Sequence, residues 1–352
     1  MSPLPLVLFW SVWSVTALVA SGVLASRLIG WAASRGAVDI PNARSSHTRA
    51  TPRGGGLAIV AVTAVAATIA CILHPESNRP VAGMLLPAVV VAGVSWIDDV
   101  RSLSGRVRFA VHLGCALAAV AVLGPVRQVS LGGFACLDFG HAAWPLTLLW
   151  IVGLTNAFNF MDGIDGMAGL TAALAGATLA AAAVVFASPA VGGIAAAFAM
   201  AACGFLACNW QPARIFMGDV GSAFCGFLLA VLPMALPQTA ISTPLTAAVL
   251  WPFIFDTGLT IIRRGLKREN IFQAHRSHLY QRLVIAGWSH RAVSSLYGAL
   301  ALVTAGLTLA PLFAPAVRRP ADVATAASIA LGTLLLPTLA WGAERKPPGV
   351  AR

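Results

Sequence analysis

Asn156, Asn159, Asp162 and Asp165 recur every three residues in the stretch NAFNFMDGIDGMAG, residues 156–169. On a helix end, side chains three apart fall near one face and drift slowly around it. Amide and carboxylate oxygens with no His or Cys among them suit a hard cation, Mg²⁺ or Mn²⁺. The plainer alternative is capping of a helix end, which two Asn and two Asp exceed. Asp98 and Asp99 are adjacent in WIDDVRSLSGRVR, residues 96–108. Neighbouring carboxylates repel, so a cation or metal is expected close by; Arg101, three residues from Asp98, is the local option. Asp219 lies between Gly218 and Gly221 in RIFMGDVGSAFCG, residues 214–226, just before a helix that Ser222 is placed to cap. A helix N-terminus behind a Gly-flanked Asp can serve a metal-bound phosphate.

Two further stretches bring cations. DIPNARSSHTRATPRGGGLAI, residues 39–59, offers Arg44, Arg49 and Arg53 with Ser45, Ser46 and His47 as donors. Gly54, Gly55 and Gly56 let the backbone bend toward a ligand, and Gly-rich backbone with basic residues suits phosphate. A basic, flexible loop beside a membrane is the competing reading. RRGLKRENIFQAHRSHLYQRL, residues 263–283, gathers basic residues with His275 and His278. Two histidines three apart could bind zinc, but no third ligand is evident nearby, and polar contacts to phosphate or sugar are preferred. Arg263, Arg264, Lys267 and Arg268 are explained by membrane anchoring; the histidines are not.

The elements that must position these residues are membrane helices. The chain has 352 residues, 58% apolar and 10% charged, against roughly a quarter charged in soluble domains. Apolar runs reach about 20 residues, the length that spans a bilayer. Eleven spans are predicted, at 4–28, 55–74, 80–97, 107–124, 142–158, 168–187, 190–207, 222–236, 243–262, 292–313 and 323–342. The expected fold is an all-α polytopic transmembrane bundle of 10–11 spans, one domain over 1–352, with residues 263–291 as a basic cytoplasmic loop. The first run has no basic stretch before it, so it is read as a retained helix with its N-terminus outside. That topology puts 19 of the 23 Lys and Arg on the cytoplasmic side, as the positive-inside rule requires. The net charge of +11 then implies anionic membrane lipid, and nucleic acid is not needed as a partner. The same topology gathers Asp98, Asp99, Asp162, Asp165 and Asp219 at the cytoplasmic membrane edge, where acids usually mark function. The six cysteines, with no CxxC pair, read as packing residues.

At these motifs the sequence resembles the polyprenyl-phosphate N-acetylhexosamine-1-phosphate transferases, the superfamily that includes phospho-MurNAc-pentapeptide translocase. The matching blocks are SSHTRATPRGGG, DDVRSLSGRVR, NAFNFMDGIDG, MGDVGS, FDTGLTIIRR and AHRSHLYQRL. The resemblance implies transfer of a sugar 1-phosphate from a UDP-amino sugar to undecaprenyl phosphate, releasing UMP, in the bacterial inner membrane. It implies Mg²⁺ held by Asn159 and Asp219, and Asp98 and Asp99 on the lipid-phosphate side with one as candidate base. It places Asp162 and Asp165 along the nucleotide-sugar cleft and His275, Arg276 and His278 in a loop that contacts the nucleotide sugar. Ser46, His47, Arg53, Gly54, Gly55 and Asn156 complete the expected substrate-binding set. The fifth loop reads AHRSH where the cell-wall translocases have a His-rich block, and the chain looks most like the branch that starts O-antigen or capsule repeats. A homodimer is left open.

A phosphate monoester has a second pKa of about 6 and is largely dianionic at pH 7. A strong general base is then hardly needed, and Asp98 and Asp99 are expected to act mainly through placement. The competing class is a secondary transporter of nucleotide sugars or an ion-coupled substrate, whose site belongs near the membrane midplane. Asp256, seven residues before Arg263, is expected to be structural or to pair with Arg263 or Arg264.

Overall fold

The computed structural model describes residues 3–41, 49–237, 239–270 and 275–344, with side chains from Ser11 onward. Ser46 and His47 lie outside the described residues. In chain order the elements are α1 (Pro3–Ser34), β1 (Val38–Asp39), β2 (Thr51–Pro52), α2 (Leu57–Leu73), α3 (Asn78–Arg101), α4 (Gly105–Leu123), β3 (Gln128–Ser130) and β4 (Cys136–Asp138). They continue with α5 (Ala143–Met161), α6 (Met167–Val185), α7 (Pro189–Asn209), α8 (Asp219–Val231), α9 (Thr239–Val249), α10 (Trp251–Leu266), α11 (Leu279–Ile285), α12 (His290–Phe313) and α13 (Arg318–Glu344). The strands form two small antiparallel pairs, β1 with β2 and β3 with β4. The protein is an all-α polytopic membrane bundle. Helices α1, α3, α4, α6, α7, α12 and α13 are each long and apolar enough to cross a membrane. The bent α9–α10 pair passes the same test as one unit, so among the described residues seven to eight spans meet it against the 10–11 expected. Helix α5 and the short apolar helices α2 and α8 occupy the other predicted stretches.

The predicted span over 243–262 is a single helix in the sequence reading and two in the structure. Helices α9 and α10 meet at 69° around Leu250. Pro252 is the cause: it has no N–H to donate, and its ring crowds the carbonyl four residues back. It therefore sits in the first turn of α10, where neither defect matters.

The centre of the bundle is α8, whose residues Val220 to Val231 are all buried, packed mainly against α3 and α5 and also touching α2 and α6. Its first turn meets the start of α2 through two glycines. A Cβ on Gly56 would stand 2.3 Å from Gly221 Cα, and one on Gly221 would stand 2.6 Å from Gly56 Cα. Backbone cannot move aside as a flexible side chain can. Gly56→Ala is expected to cost at least about 1–3 kcal/mol through overpacking, read as a lowered unfolding midpoint in detergent. Gly93→Ala, whose Cβ meets nothing within 4 Å, should stay close to wild type; equal midpoints for the two variants would contradict the close contact.

The glycines of the first loop consequently have a different role from the phosphate approach expected of them. The Gly55 N–H donates to Phe216 O and the Gly56 N–H to Met217 O, each at 2.9 Å. Gly54 (φ +94°) has Trp96 where a Cβ would be, and Gly55 has Phe205 and Ile215. Gly54 and Gly55 hold the loop against the bundle, and the Gly55 amide is not available to an anion. The cysteines are all free thiols.

Candidate active site

A helix N-terminus leaves unpaired N–H groups and a partial positive charge. Buried in the bundle, the start of α8 must have acceptors supplied by its neighbours. Asp99, near the end of α3, supplies them: the Asp219 N–H donates to its Oδ1 (3.2 Å) and the Val220 N–H to its Oδ2 (3.1 Å). Arg53 steadies the same residue, donating to the Asp99 carbonyl and lying 3.9 Å from its carboxylate. Asp98 points to the other side. It accepts from the Leu103 N–H and from Arg108 Nη1 (2.8 Å). Both acids thus have their oxygens engaged by donors, and neither is a bare base.

Arg108 is the residue the sequence reading missed. Its Nη1 also lies 3.4 Å from Asp219 Oδ2, so one nitrogen bridges α3 and α8. Arg101 is not the cation on Asp98. The loop after α3 turns back, Ser104 caps α4 by accepting from the Val107 N–H (3.4 Å), and the first turn of α4 delivers Arg108 to the acids. A helix start at Gly105, readable from Ser104, was the available signal.

Asn159 and Asp219, expected to share a metal, are brought together directly. Asn159 Nδ2 donates to Asp219 Oδ1 (3.0 Å) and to Ser222 Oγ (2.8 Å). Ser222 therefore ties α5 to α8 rather than capping α8. Asn156 is one turn back on α5 and donates to Val152 O (2.7 Å) on its own helix. The expected single stripe of four side chains does not form, because α5 ends at Met161. Asp162 follows that end, and Asp165 sits in the turn before α6. Asp165 is buried, accepting from the Ala213 N–H (3.0 Å) and facing His290 Nδ1 at 3.2 Å, while its carbonyl accepts from Ser294 Oγ (2.8 Å). It clamps the 162–166 turn from behind, which corrects its expected place along the cleft. His290 was not singled out in the sequence.

Asp162 is different. Burial, then the charges of Asp219, Asp99 and Asp165, push its carboxyl well above the usual carboxylate range. Carboxylates near enough to act on one another, with Asn159 hydrogen-bonded to Asp219, offer hard oxygens of the kind a divalent cation takes. Among the described residues no three Asp, Glu, His or Cys side chains converge into a ready-made metal cage. That is compatible with Mg²⁺, which is commonly held by one or two carboxylates with substrate phosphates and water. The donor set fits Mg²⁺, with Asn159, Asp162 and Asp219 as the residues to hold it.

The fifth loop reaches this cluster through α11. Tyr280 Oη donates to Phe160 O (3.0 Å), beside Asn159. His278 lies against Tyr280, His275 and Phe160, with ring centroids 5.7, 5.0 and 6.3 Å apart. His275 Nδ1 lies 2.9 Å from Ser277 Oγ. Burial, then His278 and Arg264, lower the His275 pKa to about 4, so at neutral pH it is an uncharged hydrogen-bonding group and no phosphate clamp. Arg276 lies close enough to Tyr280 to act on it electrostatically. Asp256 pairs with neither Arg263 nor Arg264. Arg263 donates to Ser277 O (2.7 Å), and Arg264 pairs with Glu269 at 3.2 Å.

An apolar groove of about 1220 Å³ runs along α5, α9, α10, α12 and α13. Trp150, Leu154 and Ala157 of α5 and Ile254, Gly258 and Ile261 of α10 line it. Helix α5 serves both sites, since Asn159 follows Ala157 by two residues. Asp98, Asp99, Asp162, Asp165 and Asp219 gather at helix ends, while Asp256 lies within α10 of the broken span; a cluster at helix ends does not favour a transporter's midplane site.

Comparison with known proteins identifies the family. Residues 81–236, from α3 through α8, match the family model described as glycosyl transferase family 4. A probable undecaprenyl-phosphate N-acetylglucosaminyl 1-phosphate transferase of Bacillus subtilis is 35% identical over 260 residues, 73% of this chain and 72% of that protein. A decaprenyl-phosphate N-acetylglucosaminephosphotransferase of Mycolicibacterium smegmatis is 32% identical over 342 residues, 88% and 84% of the two chains. A phospho-N-acetylmuramoyl-pentapeptide-transferase of Heliobacterium modesticaldum is 33% identical over 276 residues, 73% and 82%. With the family model matching from α3 through α8 and relatives 32–35% identical over most of both chains, the chain belongs to glycosyl transferase family 4.

Proposed function

We propose that the protein transfers N-acetylhexosamine 1-phosphate from a UDP-sugar to a polyprenyl phosphate at the cytoplasmic face of the bacterial inner membrane. The product primes a lipid-linked cell-surface polysaccharide of the O-antigen kind. N-acetylglucosamine is the sugar named for the Bacillus and Mycolicibacterium relatives, and undecaprenyl phosphate is the acceptor named for the first. The observation that carries the reading is the cluster of Arg108, Asp98, Asp219 and Asn159 at the half-buried start of α8, with α5 contributing both Asn159 and the groove-lining Ala157.

In this reading an oxygen of the lipid phosphate attacks the β-phosphorus of the donor. The bond from that phosphorus to the bridging oxygen breaks, and UMP leaves with the α-phosphate. Such transfers depend mostly on positioning and charge stabilisation. Arg108 meets the lipid phosphate, with Asp98 and Asp99 holding Arg108 and α8 in place. The groove takes the polyprenyl tail, and the His275–His278 loop takes the donor. When bound, Mg²⁺ supplies neutralisation of the diphosphate and of the leaving UMP. Purified protein with undecaprenyl phosphate, Mg²⁺ and a panel of UDP-amino sugars should release UMP with at least one donor; silence with the whole panel would remove the enzyme reading.

Asp162 gives a test of the cation that does not depend on turnover. Its folded pKa lies above the unfolded value of 3.8. Such a group weakens the fold as pH rises through the folded value, and a cation that binds the ionised form reverses the loss. The Mg²⁺-induced rise in unfolding midpoint should grow from acid to alkaline pH in wild type and shrink in Asp162→Asn. An increment independent of pH would count against a cation at this cluster.

A further inference from the structure

Asp256 has no exposed surface, and the reaction scheme does not use it. Its carboxylate nevertheless gathers five donors. The Leu279 N–H (2.8 Å), His278 Nδ1 (3.3 Å) and Thr260 Oγ1 (3.3 Å) converge on Oδ1. The Tyr280 N–H (3.1 Å) and Tyr297 O–H (2.6 Å) converge on Oδ2. Three elements are thereby tied to α10: the loop before α11, the first turn of α11, and α12. A buried carboxylate is costly unless its oxygens are satisfied in this way.

The contact to His278 has a chemical consequence. A carboxylate only accepts, so this contact calls for a proton on Nδ1 and, in a neutral ring, leaves the lone pair on Nε2. The ring is held on its other sides by Tyr280, His275 and Phe160, the last adjoining Asn159. Asp256 therefore sets both the tautomer and the direction of an imidazole on the fifth loop.

We propose that Asp256 is a positioning residue for recognition of the nucleotide sugar, acting through His278. Asp256→Asn would turn an N–H₂ group toward groups that are themselves donors and release the tautomer of His278. The proposal rests on reading the 275–278 loop as the donor's side of the site.

The test is a double-mutant cycle on purified protein, with UMP release measured against donor and against lipid. Asp256→Asn should raise the donor KM on the order of tenfold, the size of one lost charged hydrogen bond, and leave the lipid KM within about twofold. On a His278→Ala background the same substitution should add less than about twofold, since partners in one network are not additive. Tyr297→Phe keeps the His278 bond and removes one donor from Oδ2. It should raise the donor KM by a smaller factor, again only where His278 is present, and it carries the test if Asp256→Asn does not fold. Effects of Asp256→Asn or Tyr297→Phe that multiply with His278→Ala, or that move both KM values alike, would overturn the proposal. Wild-type protein that releases no UMP would contradict the transferase reading instead.

Discussion

Asp219→Ala is expected to lower kcat by about 10³ or more, because charge stabilisation is the main source of rate in phosphoryl transfer. The fold should survive the change. The start of α8 is held by Asp99 through backbone N–H groups of residues 219 and 220, and these remain in the variant. What disappears is the acceptor for Asn159 (3.0 Å) and for Arg108 (3.4 Å). The unfolding midpoint should therefore change little while turnover is lost. Asp219→Asn keeps the volume and loses the charge, and it should be nearly as inactive. Mg²⁺-dependent turnover within about tenfold of wild type in either variant would remove Asp219 from the reacting centre.

Arg108→Ala is the second large effect. Its guanidinium is partly exposed, with 40% of the side chain accessible, and such ion pairs contribute only about 0–1 kcal/mol to stability. The expected loss is in catalysis, about 10²-fold in kcat/KM for the lipid phosphate. The geometry also predicts the outcome of the conservative change. One nitrogen, Nη1, meets both Asp98 and Asp219, so a compact ammonium can make the same bridge without the planar fork that distinguishes Arg from Lys. Arg108→Lys should recover most of the activity. A lysine variant as poor as alanine would mean that the fork itself contacts substrate. Steady-state kinetics with lipid as the varied substrate distinguishes the two.

The parts of this site that sequence could reveal are those governed by local chemistry. Apolar runs near 20 residues placed the helices, and acids in so oily a chain stood out at their ends. Asn159 and Asp219, 60 residues apart and implied by the resemblance to share Mg²⁺, are hydrogen-bonded to each other. Tertiary geometry decided the rest. Arg101 is nearer Asp98 in sequence, yet the turn through Ser104 brings Arg108 instead. The glycine run has the composition of a phosphate loop. Its role follows from what stands opposite each missing Cβ, and Gly221, Trp96 and Phe205 come from distant segments. Asp165 and Asp256 resemble the other acids in type and differ in partners, because α12 reaches both of them through Ser294 and Tyr297. The break at Leu250 was present in the sequence as Pro252, hidden by an apolar run that continues through it.

The account turns on which bond of the donor breaks. UDP-N-acetylglucosamine labelled with ³²P at the α or the β position, incubated with purified protein, Mg²⁺ and undecaprenyl phosphate, reads this directly. Attack at the β-phosphorus sends the β label into the lipid and the α label into UMP. Both labels leaving together as UDP would contradict the account, and a β label retained on the protein without lipid would replace direct displacement by a covalent route.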